Sequence, residues 1–551
     1  MITARGSGFA GARRFAARRV RFLVFRSRRI RRRIRKCDRS WIEEFRTGGF
    51  GRFAETHVEH GGLVLTALLE TNNHSQQKAR GLIGQREIQD ELFAELDVAR
   101  ADLAGAVTVT GADPIVCSPH RIGDASAAAH AVLGAEMAML WRDRTGRGQD
   151  VTVETRAALF GLMATNFNTT NGVPSNDVML DPHLFGYCDF YRCADGRYVY
   201  IVTTYPHLRD IVCDVLDCPP DQVRMRDAAS RWNATELEDA IAARGGTCVM
   251  VRTREEWRKH AQGMLLAERP LIQVEKIGDS EPEPFPELPS QGTTPLSGLR
   301  VIDNTHVIAG PIAARTMAEY GADVLHISHP RRPDLLAMVV ESGLGKRAAW
   351  CDLDDPAQRG RFWELLRNAD VYASSYNSLE RKGFGAEHLA AVRPGIIFTD
   401  VHGWGTHGPW RERGSFDQLG VCSSGFAVSE GSMDSPALPP TYLLNDYLGG
   451  ALAATGTLEA LRRRAREGGS YRVHVDLSRI SMWVDDLGLF PLDEVTSLPM
   501  PSVAEGQDLV RTVEGPYGTT GYLPAAIQLS ETKGSFAHGA LPLGASPLSW
   551  W

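Results

Sequence analysis

The apolar positions of this 551-residue chain follow two different periods. From Leu299 onward, short runs of aliphatic and β-branched residues recur: LRVIDNT (299–305), ADVLHIS (322–328), RAAWCDL (347–353), ADVYASSY (369–376) and GIIFTDVHG (395–403). Segments with helical spacing, such as PIAARTMAEYG and PAQRGRFWELLRN, separate them. This alternation predicts an α/β lobe with a doubly wound parallel sheet. Its ligand would sit past the carboxyl ends of the strands, at the topological switch point. The loops of interest are therefore 305–311, 329–333, 375–381 and 402–408. Earlier in the chain, FYRCADGRYVYIVTTYPHLRDIVCDVL predicts a strand, a turn at Asp195-Gly196, an alternating strand and a helix. ELEDAIAARGGTCVMVRTREEWRKHAQG continues as helix, strand, helix, giving a smaller α+β lobe over 181–277. Residues 51–110 read as amphipathic helix.

A longer pattern occurs twice without a gap. DASAAAHAVLGAEMAMLWRDRTGRGQDVTVETR begins at Asp124, and DYLGGALAATGTLEALRRRAREGGSYRVHVDLS begins at Asp446. Gly134 falls on Gly456, Gly146 on Gly468, Val151 on Val473, Val153 on Val475 and Glu154 on Asp476. Each copy predicts a small-residue helix, a basic Gly-rich turn and an alternating strand. An Asp at a helix start is commonly an N-cap that accepts free backbone N–H groups. Presented to a pocket, the same carboxylate is a nucleophile. A strand–helix lobe precedes Asp446 and none is recognisable before Asp124. Asp446 is therefore the expected catalytic residue, with Asp124 as structural cap and second choice.

The size allows several domains or one two-lobed unit, and 43% hydrophobic with 23% charged residues is a globular balance. No apolar run approaches the ~18–20 residues that span a bilayer, so no membrane partner is expected. The net charge of −6 is unevenly spread: residues 1–37 carry thirteen Arg and one Lys, leaving −20 for the rest. So acidic a body is not expected to bind nucleic acid. The arm over 1–50 reads as a disordered extension or a start codon placed too far upstream. A targeting peptide or a nucleic-acid or membrane-surface tail is the alternative. Nine Cys without CxxC pairs or nearby His predict no metal site. Scattered thiols suit a reducing cytoplasm. The loop after the first strand is THVIAGP rather than GxGxxG, which argues against a nicotinamide or flavin enzyme.

The segment PLSGLRVIDNTHVIAGPIAARTMAEYGADVLHI resembles the opening of the class III CoA-transferases, the CaiB/BaiF group. That family includes formyl-CoA:oxalate and carnitine CoA-transferases and α-methylacyl-CoA racemase. GKRAAWCDLDDP, ADVYASSYNSLERKGFG, LAAVRPGIIFTDVHGWGTHGPW and the Asp446 helix follow in family order, while GDASAAAH, WRDRTGRGQDVTV and FYRCADGRYVYI stand in the earlier half. The resemblance implies the family's fold with its module order rearranged. A helical segment with the first repeat copy (51–180) and the small lobe (181–277) come first. A Pro- and acid-rich linker (278–297), a CoA-binding Rossmann-like lobe with the second copy (298–480) and a tail packed on that lobe (481–551) follow. It also implies an interlocked homodimer, coenzyme A as cosubstrate with no tightly bound cofactor, and acyl-CoA and carboxylic acids as small-molecule partners.

By the same resemblance, Asp446 is a nucleophile that forms an aspartyl anhydride and an aspartyl-CoA while CoA moves from an acyl-CoA donor to a carboxylic acid. Val307, Ile308 and Ala309 stand where the family lines the CoA site. Ser375 and Tyr376 replace an Asn-Phe pair, and Arg381 matches a phosphate-binding Arg, a job suited to a forked guanidinium. His402 stands beside the pantetheine and His329 near the nucleotide. Residues 449–450 or 403–408 could supply oxyanion-stabilising N–H groups. An acyl-CoA racemase or isomerase and a CoA-binding partner without turnover are the alternatives. NDVMLDPHLFGY replaces the Gly-rich loop of the oxalate-type enzymes, which argues against an oxalate or formyl substrate. Phe416 in GSFDQL stands where the racemases have a His, and Phe cannot exchange an α-proton.

Overall fold

The computed structural model describes residues 83–290, 293–376 and 378–550. The basic arm and the expected helix over 51–82 lie outside the described residues. All five strands expected after Leu299 form, within a sheet of β1 (Gln273–Gly278), β2 (Arg300–Asn304), β3 (Asp323–Ser328), β4 (Arg347–Trp350), β5 (Val371–Ser374), β6 (Ile397–His402) and β7 (Ser470–Asp476). Their order is β4-β3-β2-β5-β6-β7-β1. Every pair is parallel except β7–β1. Buried on both faces, these strands read as near-continuous apolar runs. The chain steps outward from β2 to β4 and then returns to the far side of β2 at β5. The switch point therefore lies between the loops that follow β2 and β5.

Four helices build the site: α1 (Ile122–Thr145), α2 (Ala309–Glu319), α3 (Asp417–Ser424) and α4 (Asn445–Glu467). The repeated helices α1 and α4 each end at a left-handed glycine, Gly146 (φ 74°) and Gly468 (φ 72°). Each then returns along its own strand, Val151–Glu154 or β7. A Cβ on Gly134 would lie 2.5 Å from Val151 Cγ1, and one on Gly456 would lie 2.6 Å from Val473 Cγ1. The repeated glycines thus let each helix lie directly on its strand.

The first copy is a shortened version of the second. Val107–Thr110 pairs in parallel with Val151–Glu154, Val109 opposite Val153, as β6 pairs with β7, Val401 opposite Val475. The strand at 107–110 departs from the helical expectation over 51–110. VTVT carries β-branched residues suited to a pleated surface, and it finds a parallel partner in the repeat strand. The third strand is exchanged between copies. Gln528–Leu529 from the tail joins Val151–Glu154, while β1, at the end of the small lobe, joins β7. Arg462 of α4 ties the two helices together through Glu136 (2.9 Å) and Asp143 (3.0 Å) of α1.

The expected hairpin forms in the small lobe as Asp189–Arg192 and Tyr198–Val202, turning at Gly196 (φ 79°), with Thr247–Met250 as third strand. Tyr191, Val199, Ile201, Val212, Leu237 and Ile241 close its own core. The lobe is seated on α3 by the Arg252 N–H, which donates to the Cys422 carbonyl (3.1 Å). The tail covers the β4 edge, where Ser546 N–H donates to the Ala348 carbonyl (2.7 Å).

Candidate active site

Asp446 is the second residue of α4 and 5% exposed. Its carboxylate is not the helix cap. Asp417, at the start of α3, fills that role: its Oδ2 accepts the N–H groups of Leu444 (2.9 Å) and Asp446 (2.8 Å). The Asn445 amide locks the same turn, donating to the Asp417 carbonyl (3.0 Å) and accepting from Ser481 (2.8 Å). A helix start leaves N–H groups unpaired. Here they are met from another element, which releases the Asp446 side chain. Among the described residues, neither Asp446 nor Asp417 forms an ion pair with a cation. Burial, and then the like charge of Asp417, hold the Asp446 carboxyl well above the usual carboxylate range. Burial pushes Asp417 up to about 6 despite the N–H groups it accepts. A carboxyl whose ordinary pKa is near ~4 is therefore held toward its protonated form.

The first copy repeats the cap and reverses its consequence. Asp113 Oδ2 accepts the Asp124 N–H (2.8 Å), so Asp124 is not the cap expected from its position. Its fully buried carboxylate is committed instead. Oδ2 accepts Arg121 Nε (3.0 Å) and Nη2 (2.7 Å), and Oδ1 accepts Gln85 Nε2 (2.8 Å) and the Asp113 N–H (3.2 Å). Burial and then Asp124 push Asp113 up to about 8. Asp113 and Asp417, which sequence reasoning passed over, share one role. Their signal was a second Asp upstream of each repeat.

The loop after β2 approaches Asp446 through the packing of α2 on α4. A Cβ on Gly450 would lie 2.7 Å from Ile312 Cγ2 and 3.0 Å from the Ala309 carbonyl oxygen. Ala309, at the end of that loop, thus packs on Gly449 and Gly450, with Gly450 one helical turn beyond Asp446. Val307 has φ 68°, a costly conformation for a β-branched residue. Its N–H is held by Asp334 Oδ2 (2.7 Å). Asp334 Oδ1 accepts the hydroxyl of Tyr205, which arrives from the small lobe. The Tyr205 ring lies 6.4 Å from that of Phe416. Periodicity carries no signal for Tyr205, because its place is tertiary. Gly449 and Gly450 lie past the first turn of α4, where N–H groups join the helix ladder, so they are packing residues rather than free donors. Gly405 N–H is taken by Asp476 Oδ1 (2.7 Å).

Across the switch point, Ser375 Oγ accepts the His306 N–H (3.0 Å), and Tyr376 stacks on the His306 ring at 4.3 Å. His329, Arg331, Arg332, Asp354 and Lys382 line a cleft of about 350 Å³. His329, expected near the nucleotide, lines this cleft, and Arg331, Arg332 and Lys382 join it from the selected loops or beside them. Arg381 is outside that lining. It is exposed and pairs with Glu412. His402 closes β6 rather than standing in a loop. Its Nε2 is 3.4 Å from Asp400 Oδ2 and its ring is 5.0 Å from that of His474. Burial opposes charge on His474, but Asp476 (2.9 Å) and Asp400 (3.1 Å) outweigh it and push it up to about 10. His402, by contrast, is lowered by burial. Asp400, His402 and His474 have donor atoms within 4.8 Å of one another. With Arg472 also on Asp400, they read as an ion-pair network.

The model of CoA-transferase family III matches residues 85–281 and 296–542, so the chain belongs to that family. It is 29% identical over 323 residues to an acetyl-coenzyme A transferase, nodX, of Hypoxylon pulicicidum, covering 54% of each chain. It is 35% identical over 192 residues to the succinyl-CoA–L-malate CoA-transferase beta subunit of Chloroflexus aurantiacus, covering 32% of this chain and 47% of that one. A solved CAIB/BAIF family protein from Brucella suis is 22% identical with a TM-score of 0.33, covering 41% of this chain and 65% of that one. The chain spans about half the length of the curated relatives it matches. No helix among the described residues is long and apolar enough to cross a membrane.

Proposed function

We propose that this chain transfers CoA between an acyl-CoA donor and a carboxylic-acid acceptor, with Asp446 as nucleophile. The observation that carries this reading is the contrast between the repeated carboxylates. Asp446 is relieved of capping by Asp417 and lies one helical turn before Gly450, on which Ala309 packs, whereas Asp124 is saturated by Arg121, Gln85 and the Asp113 N–H. In the reaction, an ionised Asp446 oxygen attacks the thioester carbonyl. The C–S bond breaks, leaving an acyl–aspartyl anhydride and CoA thiolate. The thiolate then attacks the aspartyl carbonyl, giving aspartyl-CoA and the free donor acid. The acceptor carboxylate attacks aspartyl-CoA, and the released thiolate takes the new acyl group, restoring Asp446. The raised pKa lowers the ionised fraction near neutrality while making the carboxylate more basic when formed. Arg331, Arg332 and Lys382 offer the positive charge that the CoA phosphates require, through forked guanidinium donors and point charge, beside the His329 ring.

Incubation with an acyl-CoA, capture by hydroxylamine and peptide mass spectrometry test the reading. A hydroxamate at Asp446, absent from Asp446→Asn and unaffected in Asp124→Asn, is expected. Labelling elsewhere, or none, overturns it. The edge strands exchanged between the two copies meet, inside one chain, the interlocking that the family resemblance assigns to two subunits. Light scattering is expected to give the mass of one chain, and twice that mass restores the homodimer. The scattered cysteines among the described residues, none of them paired in a disulfide, agree with a cytoplasmic setting.

A further inference from the structure

We propose that the acyl groups exchanged at Asp446 are apolar monocarboxylates and that acids bearing a second carboxylate are rejected. This rests on Asp446 being the nucleophile and adds its substrate class. The first argument is charge. Asp417 and Asp446 are joined through the Asp446 N–H (2.8 Å) in a buried turn, and neither has a cationic partner among the described residues. The equivalent Asp124 shows what neutralisation looks like in this fold: Arg121 sits on it at 2.7 Å. Arg331, Arg332 and Lys382 line, with His329 and Asp354, a cleft whose lining includes neither Asp446 nor Asp417. A dicarboxylic acyl group would bring one more negative charge against two acids. A like charge about 5 Å away at an effective dielectric of about 20 corresponds to roughly a hundredfold in rate or affinity.

The second argument is the wall. Phe416 directly precedes Asp417, and its ring faces the Tyr205 ring at 6.4 Å and 34°. The Tyr205 hydroxyl is already engaged by Asp334, so the tyrosine offers its ring rather than a donor. Aromatic carbon beside an unneutralised acid pair suits an aliphatic or aromatic tail.

Butyryl-CoA and succinyl-CoA test this with the full chain, because their acyl groups have equal carbon length and differ by one terminal carboxylate. The readout is the rate of adduct formation at Asp446 by mass spectrometry. Butyryl-CoA is expected to react roughly a hundredfold faster. Phe416→Arg, which supplies a cation at the wall, is expected to narrow the ratio at least about tenfold, while Phe416→Leu keeps it. Thermal unfolding of both variants separates loss of fold from loss of selectivity. Equal or faster labelling by succinyl-CoA overturns the substrate class and leaves the nucleophile standing. Labelling of Asp446 by neither thioester overturns the nucleophile and this inference with it.

Discussion

Replacing Arg121 by Met removes the guanidinium that occupies Asp124 while keeping most of the side-chain bulk. In the native site, Asp124 Oδ2 receives two guanidinium N–H groups at 3.0 and 2.7 Å, and the same arginine donates to the Ile83 carbonyl at 2.7 Å. Both side chains are fully buried. Breaking such a pair from one side leaves an uncompensated buried charge, a loss of about 3–5 kcal/mol. Unfolding entropy near 2 cal/mol/K per residue, over roughly 470 residues, is about 1 kcal/mol/K, so the melting temperature should fall by about 3–5 °C. Arg121→Met with Asp124→Leu removes the charge altogether and should recover most of the loss, since apolar replacement of buried pairs is often neutral or better. Scanning calorimetry of the two single variants and the double variant closes the cycle. Additive losses, or a single-variant shift below about 1 °C, would refute the claim that the pair is what silences this copy. In the double variant, adduct formation at Asp446 should be unchanged.

Asp417→Asn keeps an acceptor for the two N–H groups of α4 and removes a like charge from Asp446, so the acid limb of adduct formation should move to lower pH; an unmoved limb contradicts the coupling. In the folded wild type, Asp417 sits near 6, above its unfolded value near ~4. Its stabilising contribution is therefore complete below about pH 4 and lost as pH rises through about 6, a fall that calorimetry should find absent in Asp417→Asn. Gly450→Ala puts a Cβ 3.0 Å from the Ala309 carbonyl oxygen, where backbone gives way poorly, and should cost about 1–3 kcal/mol of stability. Gly360→Ala, with nothing within 4 Å of the added Cβ, is the neutral-to-stabilising control in the same unfolding experiment. Arg331→Glu with Lys382→Glu should weaken CoA binding in calorimetric titration and reduce its salt dependence. Arg381→Glu should do neither, because Arg381 pairs with Glu412 outside the cleft.

The alternation of apolar runs after Leu299 determined the parallel strands, their helices and the loops that meet at the switch point, because each strand must bury both faces and each helix one. The doubled pattern determined the paired glycines, since a helix lying on its own strand excludes a Cβ at Gly134 and Gly456. The two candidate aspartates were legible for the same reason, yet local pattern could not separate them. What separates them lies far away in sequence: Asp417 is 29 residues before Asp446, and Gln85 is 39 before Asp124. Whether a carboxylate is free or saturated depends on which groups the tertiary structure brings within about 3 Å, and spacing along the chain does not encode that. Tyr205 beside Phe416, Lys382 lining the cleft while Arg381 pairs with Glu412, and the exchanged edge strands belong to the same class. Each is a meeting of elements, decided by packing after the elements themselves were set.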